Sequence, residues 1–355
     1  SVLHALQTRA APFVALRHDL HRHPELGLQE FRTSQLLAEQ LQSWGYTVTR
    51  GLATTGLVAQ LQRGSGSKRL GLRADMDALP IHEANALAHC SVHAGVMHAC
   101  GHDGHTAMLL AAAKHIAQKG EFSGTVNLIF QPAEEGLGGA KKMMADGLFQ
   151  QFPCNAIFAM HNMPGQPQGH LVLRDGPAMA SSDNVTITLH GKGGHGAMPH
   201  VAADPVVAGS AIVMGLQSIV ARNVDPQQMA IITVGAFNAG VANNVIPQTA
   251  TLRLSVRSLD RDVRVLLEKR ITELVHAQAQ SYGVTAEIDY QRGYPVLVNH
   301  LAETDFARTV AEELVGADKV VRQGRALNGS EDFAFMLEEM PGSYLLIGNG
   351  DGTGD

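Results

Sequence analysis

Cysteine is scarce in this chain. Cys90, Cys100 and Cys154 are the only three among 355 residues, too few for a disulfide framework at this length. Basic runs are missing as well. The formal net charge is −6, and no Lys/Arg-rich stretch offers the electrostatic footprint of a nucleic-acid binder. No apolar stretch reads as long enough to cross a bilayer, and the N-terminus lacks the charged and apolar regions of a signal peptide. A cytoplasmic protein is the simplest expectation. Internal repeats and low-complexity linkers are absent too. What is left is ordinary globular composition, 45% hydrophobic and 17% charged, in a chain long enough for two domains. One residue type is over-supplied: there are 18 histidines, several in tight groups.

Apolar spacing predicts helices across 12–44, separated at Pro24 and Gly27. Short apolar runs then alternate with helical segments. "GLVAQLQ", "RLGLRADMD", "TVNLIFQPAEEG" and "NAIFAMHNMPG" read as strands, the last stopped at His161. "HTAMLLAAAKHIAQKG" and "GGAKKMMADGLF" read as helices. Such alternation argues for an α/β layer with a mostly parallel sheet. Asp75, Cys100, Glu134, Glu135 and His161 all fall near carboxyl ends of predicted strands or in loops that open helices. In open α/β sheets those ends line one ligand-binding edge. From about 183 the order becomes β-α-β-β-α-β, that of a ferredoxin-like sandwich. It reads as an insertion, 183–291, within a first domain of 1–182 and 292–355. Helical sequence returns at 302–315, and the strand-like "SYLLIGNG" follows.

The densest chemistry lies in "VMHACGHDGHTA", 96–107. Cys100 and His102 flank a glycine, so a sharp backbone turn can face both at one ion. Thiolate with imidazole suits zinc and other late first-row divalent ions. Further ligands would come from Glu134 or Glu135 and from His161, while Asp103 could hold an imidazole in orientation. Adjacent side chains point in different directions. One glutamate of the pair can therefore ligate while the other takes a proton from metal-acidified water. His98 and His105 read as loop and helix-start residues rather than ligands. "KGGHGAMPH" presents His195 from a loop too Gly-rich for a helix or strand interior. Arg257 could meet a substrate carboxylate as a bidentate cation, and an exposed strand face explains it equally.

The motifs "LRADMDALPI", "GVMHACGHDGHTAMLL", "FQPAEEGLGGA", "AMHNMPG", "GKGGHGAMPH", "NNVIP" and "NGSEDFAFM" carry a resemblance. The chain resembles the aminoacylase, hippurate hydrolase and indole-acetyl-amino-acid hydrolase group of dinuclear metallopeptidases, with motifs in register from about His18 to Asn349. The resemblance implies a parallel-sheet metallopeptidase catalytic domain with an inserted ferredoxin-like lid and dimerisation domain. It implies two divalent ions held by Cys100, His102, Glu135 and His161, with zinc favoured by the thiolate and manganese, cobalt or nickel as alternatives. It makes Glu134 the general base. His195 would polarise the scissile carbonyl, reaching it on lid closure or across a dimer. Asn243, Asn244 and Gly329 would contact substrate. The implied substrate is a small N-acyl amino acid, and the implied assembly a homodimer or higher homo-oligomer.

A further histidine ligand of that group lies beyond the "LIGNG" strand. Here the last histidine is His300, the chain starts at Ser1 and it stops at Asp355. The expectation is a piece of a longer protein. A metallo-carboxypeptidase or dipeptidase with the same centre is the rival enzyme, and an inactive metal-binding protein the rival of another class.

Overall fold

The computed structural model describes residues 2–350. Its chain divides into two compact units, one formed by Ser1–Ala178, Val298–Arg325 and Asp332–Asp355, the other by Met179–Leu297 and Ala326–Glu331.

The first unit is built on an eight-stranded sheet. Its strand order is Thr47–Leu52, Gly56–Arg63, Gly124–Gln131, Arg69–Asp75, Ala156–Met163, Gly342–Gly348, Leu171–Val172 and Val320–Val321. The first two strands pair antiparallel, and Gly56–Arg63 meets Gly124–Gln131 antiparallel. The four strands from Gly124–Gln131 to Gly342–Gly348 run parallel to one another. Gly124–Gln131 is buried at all eight positions, as expected of a strand covered on both faces. Leu128 and Phe130 from that strand join Leu37, Leu41, Leu57, Leu109 and Leu110 in one core.

Topology selects the site. From Arg69–Asp75 the chain passes through the helix His102–Lys119 to a strand on one side, then returns to Ala156–Met163 on the other. That reversal is a topological switch point, where open α/β sheets form a crevice beyond the carboxyl strand ends. Asp75 pairs with Gln131, and His161 with Leu346. The segments carrying Asp75, Glu134–Glu135 and His161 therefore emerge near the same sheet edge.

The second unit holds a four-stranded antiparallel sheet in the order Ala230–Ala239, Thr249–Ser258, Asp183–His190, Thr285–Arg292. Helices Pro205–Asn223 and Arg261–Ser281 complete the β-α-β-β-α-β sequence. Buried positions Val263, Leu267, Ile271, Val275 and Ala279 recur every four residues and form one apolar stripe. Asp260 caps this helix, its carboxylate accepting from the amides of Asp262 at 2.8 Å and Val263 at 2.9 Å.

Four local readings are corrected. The segment 139–151 forms two helices, Gly139–Ala145 and Leu148–Gln151, because Gly147 adopts φ +89° and breaks the run. The strand Ala156–Met163 continues two residues past His161. The helix expected after the histidine motif begins inside it, at His102. Pro205–Asn223 is, by length and composition, apolar enough to span a membrane. In this unit its Ala208, Ile212, Leu216 and Ile219 face lies in the core beneath the sheet.

Candidate metal centre

Gly101 makes the turn that the Cys100-Gly-His102 spacing requires. It adopts φ +90°, and a Cβ there would lie 2.0 Å from Asn162 Nδ2. Only glycine meets both demands at once. The turn leaves Cys100 before the helix and places His102 in its first position, where the ring is buried. Cys100 Sγ and His161 Nε2 then stand 3.4 Å apart. His102 Nε2 lies 3.8 Å from Glu135 Oε1.

Overlapping groups of potential ligand atoms result, each within 4.8 Å of one another. Two contain only expected residues, Cys100, His102 and His161 in one and His102, Glu134 and Glu135 in the other, while a further group joins Asp75 and His105 to His102. The four residues expected as ligands and the expected base are thus brought together within the first unit, with His102 common to both groups. His98 joins neither group. It is buried, its Nδ1 lacks a hydrogen-bond partner, and burial pushes its pKa down to about 4.

The loop that carries the glutamates is held from three directions. Ala133 adopts φ 55°, a conformation that L-residues other than glycine seldom take. Its N–H donates to Glu30 Oε1 at 2.9 Å. Asp77 accepts the next two amides, Glu134 N–H on Oδ1 at 3.0 Å and Glu135 N–H on Oδ2 at 2.9 Å. Gly139 closes the loop where a Cβ would sit 1.7 Å from Pro132 O. Asp77 Oδ1 also lies 3.3 Å from His102 Nδ1, so one carboxylate holds both glutamate backbones and stands beside an imidazole. Neither Asp77 nor Glu30 was singled out from the sequence. The "DMD" at the end of a strand was the available signal for Asp77, since residues two apart share a strand face.

Asp103 holds an imidazole, but not one from the ligand groups. It accepts from His21 Nδ1 at 3.0 Å and from Arg17 Nε at 3.1 Å. Burial opposes its ionisation. The bond from His21, with His98 and Arg17 nearby, outweighs burial and holds the acid down to about 2.

The electrostatics suit a cation. Burial pushes the pKa of the Cys100 thiol and of the Glu135 carboxyl upward, which disfavours the charged form of each. Burial, with His105 beside it, pushes His161 down to about 4. That ring is therefore neutral near pH 7, and its Nδ1 lies 2.6 Å from Asn162 O, so the Nε2 lone pair faces Cys100. His102 Nε2 and Glu135 Oε1 are buried without a hydrogen-bond partner. A divalent ion would satisfy both orphaned atoms and favour the thiolate and carboxylate that burial disfavours, so this donor set fits a metal.

The remaining predicted residues lie in the second unit. His195, in the strand Gly194–His195, pairs with Val245, and Gly196 N–H donates to Asn244 O at 2.8 Å. His195, Asn243 and Asn244 thus lie, all exposed, at one short antiparallel strand pair. Gly329 accepts from Ala180 N–H at 2.9 Å. Arg257 Nη1 donates to Asn328 O at 3.0 Å.

A switch-point crevice with thiol, imidazole and carboxyl groups turned on one another defines a candidate divalent-metal centre. Comparison with known proteins gives the family. The profile of peptidase family M20/M25/M40 matches residues 71–355. The chain is 46% identical over 337 residues to the hippurate hydrolase of Campylobacter jejuni, covering 95% of this chain and 88% of that protein. It is 41% identical over 339 residues to the N-acetyldiaminopimelate deacetylase of Geobacillus thermodenitrificans, covering 95% and 89%. A solved dinuclear metal-binding peptidase from Bacillus subtilis superposes with a TM-score of 0.85 at 32% identity, covering 99% of this chain and 91% of that one. The chain belongs to peptidase family M20/M25/M40.

Proposed function

We propose that the chain hydrolyses the amide bond of N-acyl amino acids, with Cys100, His102, Glu135 and His161 holding two divalent ions and Glu134 as general base. The observation that carries the reading is the pair of ligand groups sharing His102, whose Nε2 faces the equally unpartnered Glu135 Oε1. Bound there, divalent ions would polarise the acyl carbonyl and acidify water. Zinc is the proposed metal, because a thiolate stands among the ligands.

Glu134 takes the proton of the attacking water and passes it to the leaving amine. Its backbone is fixed by Asp77, so the carboxylate is aimed from a rigid loop rather than a mobile one. His195 serves as a donor to the oxyanion. Its Nδ1 accepts from Ala197 N–H at 3.1 Å, which puts the proton of the neutral ring on the exposed Nε2, as such a donor needs. Asn243, Asn244 and Gly329 are proposed substrate contacts, and the second unit is the proposed lid and homodimer surface. The acyl-amino-acid class of substrate is supported by the named activities of the Campylobacter and Geobacillus relatives.

The test is Glu134→Gln, assayed on N-acetyl amino acids, hippurate and dipeptides, with metal content measured in parallel. The expected result is retained metal and turnover reduced about 10²- to 10⁴-fold. Turnover near that of the unaltered protein would remove Glu134 from the base role. A preference for dipeptides over acyl amino acids would favour the peptidase reading.

A further inference from the structure

Two buried residues, Asp75 and His105, and the half-buried Asn162 form a chain behind the proposed ligands that neither the ligand set nor the base accounts for. Asp75, the last residue of its strand, is fully buried. Its Oδ2 accepts from Arg73 Nη1 at 2.9 Å, and its Oδ1 lies 2.6 Å from His105 Nδ1. On the far side of the ring, His105 Nε2 accepts the backbone N–H of Asn162 at 2.9 Å, with Asn162 Nδ2 at 3.1 Å. An imidazole that accepts at Nε2 carries its proton on Nδ1, so His105 donates to Asp75, and the bonds assign one tautomer.

Asn162 spends its groups on both arms of the centre. Its Nδ2 donates to Cys100 O at 2.9 Å and fills the space left by the missing Cβ of Gly101. Its own carbonyl accepts from His161 Nδ1 at 2.6 Å. One residue thus anchors the turn that carries the thiol and fixes the tautomer of the imidazole opposite it. The geometry points to an Asp75–His105–Asn162 relay as a positioning device: we propose that it presets Cys100 and His161 for metal binding. None of the three is assigned here as a ligand. The inference rests on the reading of Cys100 and His161 as ligands, and the experiment separates failure of one from failure of the other.

The probe is cobalt(II), titrated into the metal-free protein and followed by the near-ultraviolet thiolate-to-cobalt charge-transfer band. His105→Leu fills the slot but removes donor and acceptor, so cobalt affinity is expected to fall about 10- to 100-fold and the band to weaken. His105→Gln retains one donor and one acceptor, and should restore most of the affinity and the band. Asn162→Ala keeps the backbone bonds to His105 and His161 and frees the Cys100 turn, losing besides only the side-chain contact to His105 Nε2 and the bond from Asn349. It should weaken the thiolate band while the fold persists, which keeps the proposal testable should His105→Leu not fold. Folded His105→Leu or Asn162→Ala protein with unaltered affinity and band would overturn the relay. So would a His105→Gln variant as impaired as His105→Leu, because ring volume would then matter and hydrogen bonding would not. An unaltered protein whose cobalt complex lacks the band would overturn Cys100 as a ligand, and the relay with it.

Discussion

Glu30 offers a test in which a buried acid reports on the loop it supports. The side chain is fully buried, and its two oxygens accept from Ala133 N–H at 2.9 Å and from the Thr55 hydroxyl at 2.5 Å. Burial raises its pKa from 4.5 to about 7 against those hydrogen bonds, and the nearby Asp77 charge adds to the rise. The folded state therefore keeps a proton that the unfolded chain releases between these two values. Stability from this group is complete below the unfolded pKa of 4.5 and is lost as pH rises through about 7. The full displacement is worth about 3 kcal/mol, of which roughly 2 to 3 kcal/mol falls between about pH 5 and pH 8. Glu30→Gln keeps an acceptor for Ala133 and cannot ionise. The variant should thus gain about that much on the unaltered protein across the same interval, whatever its stability at pH 5. Urea unfolding followed by tryptophan fluorescence reads the right part of the chain, because Trp44 is the single tryptophan and ends the helix that Glu30 precedes. A stability difference independent of pH over this range would refute the argument.

Two other substitutions test the clamp and the cap. Asp77→Asn leaves one acceptor for the two amides of Glu134 and Glu135, and should cost about 10- to 100-fold in metal affinity or kcat/KM. Equal values for both proteins would show that the loop holds its shape without the clamp. Asp260→Ala removes the acceptor for two helix-terminal amides in the second unit and should lower its stability by about 1 kcal/mol, read from chemical denaturation. No change would mean that solvent caps the helix as well.

The ligand-type residues were legible because their chemistry is rare and strand ends collect it. Cys100, His102, Glu134, Glu135 and His161 each stood beside a turn or a predicted strand terminus, and a parallel sheet converts that placement into proximity. The residues that hold them were harder to read. Glu30 follows a glutamine in an ordinary helix-entry segment, and nothing local distinguishes an acid that will be buried against Ala133, 103 residues away in sequence. His105 was hidden by a boundary. With the helix starting after the motif, it was merely a first-turn residue. With the helix starting at His102, the two histidines are three apart on one face, and a shared environment follows. Asp103 shows the converse error, since adjacency to His102 in sequence placed it on a different face, against His21.

The same packing sets a relation between metal and stability. His102 Nε2 and Glu135 Oε1 are buried without partners, and each such group costs roughly 1–3 kcal/mol when left unpaired. Cys100 and Glu135 are also held towards their neutral forms by burial, so the metal-free first unit bears the desolvation of its own ligands. A cation that binds the folded chain selectively relieves this strain, and linkage fixes how much appears as stability. Free zinc at a thousandfold excess over its Kd should raise the unfolding free energy of the first unit by about 4 kcal/mol. Cys100→Ser should shrink the gain, because a hydroxyl is a poorer ligand for zinc than a thiolate. Trp44 fluorescence reports the first unit, so a shift confined to the second would pass unseen by it. If zinc binds at the measured Kd yet leaves that transition unmoved, then the ions occupy some other place and the orphaned atoms around His102 have a different explanation.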